Sequence, residues 1–115
     1  MTLVMREFDC KCCGENKMTS QAFEHFVTAR QIAKVPFYIN SGYRCLKHNA
    51  EIEGSSPTSS HPKGLAADIR CMDSWNRWKI LFALKEAGFL RIGIRKDFIH
   101  ADLDEEKQPG VLWLY

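Results

Sequence analysis

Two periods of hydrophobic and polar residues alternate along the 115-residue chain, one of three to four and one of two, and their order predicts helices separated by short strands. Residues 1 to 17 show neither period. From Thr19 or Ser20, either of which can cap a helix, Ala22, Phe23, Phe26, Val27 and Ala33 fall on one face at helical spacing, and Pro36 ends the run. Phe37 to Asn40 reads as a short strand, Ser41-Gly42 as a turn and Tyr43 to Asn49 as a short helix. A polar loop, Gly54 to Ser59, leads towards Leu65 to Ile69, a short apolar run between turn residues that is expected to be a buried strand. Pro62 and Gly64 forbid a helix through His61. Asp73 or Ser74 caps a second long helix in which Trp75, Trp78, Leu81, Phe82 and Lys85 recur at three or four, with the tryptophans read as core, and Gly88 closes it. Phe89 to Ile94 and Phe98 to Asp102 flank Arg95-Lys96-Asp97 as a hairpin, and Val111 to Tyr115 supplies one more strand. The sum is an α+β fold, with helices packed on one face of a small antiparallel sheet.

The length suits one domain, small enough to gain from a staple such as a metal. No repeat or linker divides it; a cysteine-containing arm over residues 1–17 precedes a domain over 18–115. The formal net charge of +2, with acids and bases interspersed, points to neither nucleic acid nor a membrane surface as partner and leaves a weak preference for an anionic polymer such as cell wall. The first residues carry acids early and no long apolar segment, so the expectation is a product made in the cytoplasm without a secretory signal, and a monomer. Five cysteines, Cys10, Cys12, Cys13, Cys45 and Cys71, are an odd number without the spacing of a paired zinc knuckle, so mostly reduced thiols are expected. Cys10-Lys11-Cys12-Cys13-Gly14 stays open between a second metal site, a redox pair and, as the plainest reading, small apolar groups that pack the arm.

The stretch Ser59 to Ile69 carries His61 and Asp68 around a tight Gly turn, and Asp97-Phe98-Ile99-His100-Ala101-Asp102 brings a further imidazole between two carboxylates. Two His and one Asp form a ligand set for one zinc ion that leaves a coordination position open, the pattern of catalytic rather than structural sites. Such chemistry also needs a carboxylate to move a proton. Asp97 is the candidate, on condition that it sits in the turn, since strand alternation would put it on the face opposite His100. Alternation places Asp102 on the face of His100, where it can fix an imidazole from outside the ligand set.

Ser59-x-His61-x-x-Gly64-x-Ala66-x-Asp68 together with Asp97-x-x-His100 resembles the signature of the zinc D-Ala-D-Ala metallopeptidases, which include L-alanyl-D-glutamate peptidases. The stretches Ser41 to Cys45, His48-Asn49 and Phe98 to Asp102 are similar to those of the small single-domain, phage-type branch. The resemblance runs from about residue 18 to the C-terminus, with an acidic-Phe-x-Cys-x-Cys-like arm before it. It implies the hedgehog/DD-peptidase fold, Zn²⁺ on His61, Asp68 and His100, and Asp97 as general base and acid. Arg44 would bind the oxyanion or a substrate carboxylate, and Ser59 would either hydrogen-bond substrate or fix its loop. Two positions depart from the pattern: Gly54-Ser55 stands where relatives often carry Gly-Gly, and Asp102 stands where one branch has His.

The function expected on this resemblance is hydrolysis of an amide in peptidoglycan stem peptides, at a D-Ala-D-Ala or L-Ala-D-Glu type bond, as a carboxypeptidase or an endopeptidase. Without a signal, such an enzyme would reach the cell wall after release or as a phage component, an endolysin for instance. The competing readings are a non-catalytic cell-wall-binding module and a phage structural protein. Asp97 and Arg44 weigh against both, because a structural zinc needs neither.

Overall fold

A computed structural model describes residues 2–52 and 56–115; the beginning of the polar loop, at Gly54 and Ser55, lies outside the described residues. Helix α1 covers Ser20–Ala33, with the Thr19 hydroxyl accepting the Ala22 N–H as its cap and Lys34 ending it in a left-handed conformation. Strand β1 is Ile39–Ser41, α2 is Leu46–Glu51, β2 is Ala66–Arg70, α3 is Ser74–Glu86, β3 is Arg91–Arg95, β4 is Phe98–Asp102 and β5 is Val111–Leu114. A short 3₁₀ turn, Met5–Phe8, lies in the arm, and another, His61–Lys63, carries the first candidate histidine. Among the described residues no helix is long and apolar enough to cross a membrane.

The sheet runs β1-β2-β4-β3-β5. Its first four strands pair antiparallel, and β5 lies parallel to β3, which corrects the expectation of a wholly antiparallel sheet. The reason is positional. Both sides of β4 are taken, by β2 and β3, so the chain leaving β4 crosses to the free edge beyond β3 and there runs in β3's own direction.

Alternation gives the sheet two different faces. Ala67, Ile69, Ile99 and Ala101 turn to the buried core, where α1 packs on α3. The arm contributes to this core as well: Phe8 is fully buried, with ring centroids 5.7 Å from Phe23 and 5.6 Å from Phe26. On α1 the buried positions are Ala22, Phe26, Ala29 and Ala33, while Phe23 and Val27 are partly covered. Helix α3 reverses its expected orientation. Ile80, Ala83 and Leu84 are buried, whereas Trp75 and Trp78 are 72% and 71% exposed. The tryptophans are therefore not core. A helix carrying small Ala83 inward can approach the alanines of α1 closely, which two indoles would prevent. Outside, the Trp75 ring takes the Lys79 ammonium over its face at 4.5 Å.

Candidate metal centre

The opposite face of the sheet carries the candidate residues. Strand pairing sets Asp68, His100, Gly93 and Trp113 in one row across β2, β4, β3 and β5, and Asp102 opposite Arg91 in the next. His61 arrives from the 3₁₀ turn before β2. Pro62 starts that turn with a fixed φ, and Gly64 ends it at φ 72°, a left-handed conformation that suits glycine. The turn is anchored from below. The Ser60 hydroxyl donates to Asp104 Oδ2 at 2.7 Å, and the Lys63 ammonium lies 3.0 Å from the same oxygen. Burial would raise the Asp104 carboxyl, but these donors outweigh it and hold its pKa at about 2.

His61 Nδ1 lies 2.7 Å from the Gly42 carbonyl oxygen. A carbonyl only accepts, so Nδ1 carries the proton and Nε2 presents a lone pair, which faces Asp68 Oδ1 at 3.4 Å. His100 stands between two carboxylates, Nε2 at 2.7 Å from Asp102 Oδ2 and Nδ1 at 2.9 Å from Asp68 Oδ1. A neutral imidazole has one N–H. With it given to Asp102, His100 Nδ1 also turns a lone pair towards Asp68.

One carboxylate oxygen and two imidazole nitrogens therefore converge, all within 4.8 Å of one another. Electron pairs facing each other at such distances repel unless a cation lies among them or the rings are protonated. Burial lowers the His61 pKa, against which the hydrogen bond and charge of Asp68 act only in part. Burial also opposes charge on His100, but Asp102 and then Asp68 outweigh it and raise its pKa. Burial would likewise raise the Asp68 carboxyl, yet His100 and His61 hold it below the ordinary carboxylate range. The donor set fits zinc. A tetrahedral ion with bonds of about 2.0–2.1 Å spaces its ligand atoms by about 3.3 Å. The Gly42 carbonyl and the Asp102 carboxylate are the outer partners that aim the two rings.

These residues open on a cavity of about 460 Å³, whose wall includes Arg44, Ser59, Arg91, Arg95, Phe98 and Trp113. Arg44 is buried, and its fork donates to Ser41 Oγ at 2.8 Å, Asn49 Oδ1 at 3.2 Å and Asp68 Oδ2 at 3.1 Å. It thus orients the second oxygen of the aspartate. Ser59 Oγ accepts the His61 N–H at 3.2 Å, so the hydroxyl fixes the turn while lining the cavity. Asp102 also accepts Arg91 Nε at 2.9 Å and the Asp104 N–H at 3.0 Å, which commits its carboxylate on both oxygens.

Asp97 meets its sequence condition in part. It sits in the turn between β3 and β4, but its side chain is not in the cavity wall. Its Oδ1 is buried without a hydrogen-bond partner among the described residues, and the nearest cation is Arg95 Nε at 3.4 Å.

Sequence reasoning overlooked Arg91, Gly93 and Trp113. The hairpin pairing of Arg95 with Phe98 carries the register that would have found the first two, since it puts Arg91 and Gly93 on the face of His100. Gly93 makes room for an indole: a Cβ there would lie 2.4 Å from Trp113 Cε2, and the Trp113 ring stacks 5.5 Å from His100 and beneath the Arg91 guanidinium at 4.9 Å. Gly93→Ala is expected to push the indole off His100 at a cost of about 1–3 kcal/mol, the usual range for overpacking. A lowered melting temperature with a shifted tryptophan emission would register it, and an unchanged melt would show that the ring has other room.

A comparison with curated proteins gives no match. A family model described as Peptidase M15 matches residues 2–102, a span that takes in His61, Asp68, His100, the arm and every strand but β5. Over that length the chain belongs to the M15 family of zinc D-Ala-D-Ala peptidases.

Proposed function

We propose that this M15 peptidase hydrolyses an amide bond in the stem peptides of peptidoglycan, of the D-Ala-D-Ala or L-Ala-D-Glu type, and acts on the cell wall after release or as a phage component. The observation that carries the reading is the convergence of His61, Asp68 and His100 in a cavity walled by four cations, Arg44, Arg91, Arg95 and Lys107. Each is paired with a carboxylate, and the donors left over on these cations can take the free carboxylates that stem peptides carry.

His61, Asp68 and His100 would hold zinc, which when bound supplies Lewis acidity towards water and the amide carbonyl. Arg44 uses part of its five-donor fork to hold Asp68 and offers the rest to the developing oxyanion or a substrate carboxylate. Ser59 keeps the His61 turn in place and can donate its hydroxyl proton into the cavity. Asp97 takes the proton of the attacking water and passes it to the leaving amine. That transfer requires its side chain to swing away from Arg95, since Asp102 is already committed to His100 and Arg91.

Incubating the zinc-loaded protein with muropeptides and weighing the products by mass spectrometry tests the reading. Loss of a terminal alanine marks the carboxypeptidase, and a cut between alanine and glutamate marks the endopeptidase; intact muropeptides would overturn it. In the same assay Asp97→Asn is expected to keep its metal and lose roughly 10²- to 10⁴-fold in turnover, the range of general acid–base catalysis. Full activity in that variant would take Asp97 out of the reaction and require another base, with Asp102 next in line only if it is released from His100 or Arg91.

A further inference from the structure

The described residues contain a second convergence of metal-ligating groups, and the peptidase reading makes no use of it. The sulfurs of Cys10, Cys13 and Cys45 all lie within 4.8 Å of one another, although Cys45 is 35 residues from Cys10 in sequence. Cys12 is exposed on the turn that carries Cys13. Cys71 stands apart, its Sγ 3.6 Å from the Asp73 carbonyl oxygen.

The backbone is wrapped to favour thiolates here. The Cys45 N–H donates to Cys10 Sγ at 3.4 Å, and the His48 N–H donates to Cys45 Sγ at 3.3 Å. The turn holding Cys12 and Cys13 closes by a bond from the Gly14 N–H to the Cys10 carbonyl at 2.9 Å, with Gly14 at φ 77°. A thiolate accepts N–H bonds far better than a thiol does, so two neighbouring sulfurs that each take a backbone donor are set up for the anion. Packed thiolates repel, and a cation in their midst removes the conflict.

We propose that Cys10, Cys13 and Cys45, with Cys12 as fourth ligand, hold a structural zinc ion distinct from the one at His61, Asp68 and His100. Four thiolates form a closed tetrahedral set with no position for substrate. The exposed Cys12 side chain completes it by turning inward. The ion would tie the arm to the chain immediately after Arg44, where a small domain gains most from a staple. The two sites share a short wire of backbone: Gly42 supplies the carbonyl that holds His61, the Tyr43 N–H donates to the Phe8 carbonyl at 2.8 Å, Arg44 holds Asp68, and Cys45 enters the cysteine set.

Cobalt substitution of the full wild-type chain tests the proposal without altering a residue. Thiolate ligands give cobalt an intense near-ultraviolet charge-transfer band, which histidine and aspartate ligands do not. The band is expected in the wild type and should persist in His61→Ala. Zinc analysis should find two equivalents in the wild type and one in the Cys13→Ser/Cys45→Ser variant. Absence of the charge-transfer band, or a disulfide among these four cysteines in a non-reducing peptide map with a single zinc equivalent, would overturn it. Because the readout is thiolate ligation, it stands or falls separately from peptidoglycan hydrolysis.

Discussion

Alanine at His61 or at His100 is expected to remove one equivalent of zinc and to cut hydrolysis by about 10³-fold or more, as several kcal/mol of charge stabilisation in the transition state is lost. Each ring contributes one nitrogen to the converging set, and two remaining ligands of the three bind a divalent ion weakly. The effect on stability is expected to depend on metal. In zinc-containing buffer the variants should melt below the wild type, because they lose the linkage that stabilises a loaded native state. With a strong chelator present, this difference should shrink. Retention of the full zinc equivalents in both variants, measured by elemental analysis, would refute the ligand set. For comparison, Asp102→Asn, which changes the outer partner of His100 and leaves the three converging ligands in place, should weaken metal binding by about 10- to 100-fold.

The largest expected effect on folding comes from a residue without a side chain. Gly64→Ala would place a Cβ 1.9 Å from the Lys17 carbonyl oxygen and 2.8 Å from its carbon, at a φ of 72°. Both obstacles are backbone, so neither can rotate aside. Moving them would break the bond from the Thr19 N–H to the Gly64 carbonyl at 3.0 Å, which places the cap of α1, and would disturb the turn that carries His61. We expect a loss of about 3 kcal/mol or more, and a melting temperature lower by about 10 °C or more. Gly110→Ala is the control, because it shares the left-handed conformation at φ 71° but has nothing within 4 Å. Its cost should stay near 1 kcal/mol, that of the backbone conformation alone. Equal melts for the two variants would show that strain, and not the collision with Lys17, governs position 64.

The strands of the site were legible because their chemistry and their alternation agree. His100 and Asp102 share one face of β4 and Ile99 and Ala101 the other, so alternation alone separates the site from the core. Helix α3 was misread because it bears two apolar stripes, and weighting by size favours Trp75, Trp78 and Phe82 over Ile80, Ala83 and Leu84. Burial followed the second, since close packing on α1 rewards small residues. The direction of β5 is not encoded in its alternation at all; it depends on which sheet edge remains free. Backbone roles were equally silent. Nothing in the identity of Gly42 announces that its carbonyl would hold His61, although a Cβ there would meet Phe8 Cα at 2.6 Å. The cysteine cluster was obscured by distance along the chain, because spacing rules applied to residues 10 to 13 cannot include Cys45.

The five residues Ser41 to Cys45 are bonded on one side to the arm and on the other to the groups that would bind metal. Native-state opening proceeds in contiguous cooperative units, and these bonds couple the arm directly to the candidate site. Any fluctuation that detaches Phe8 also releases Tyr43, and with it the footing of His61 and Asp68. The arm is therefore expected to open together with the candidate metal site, so amide exchange at Phe8 and Tyr43 should slow when metal occupies His61, Asp68 and His100.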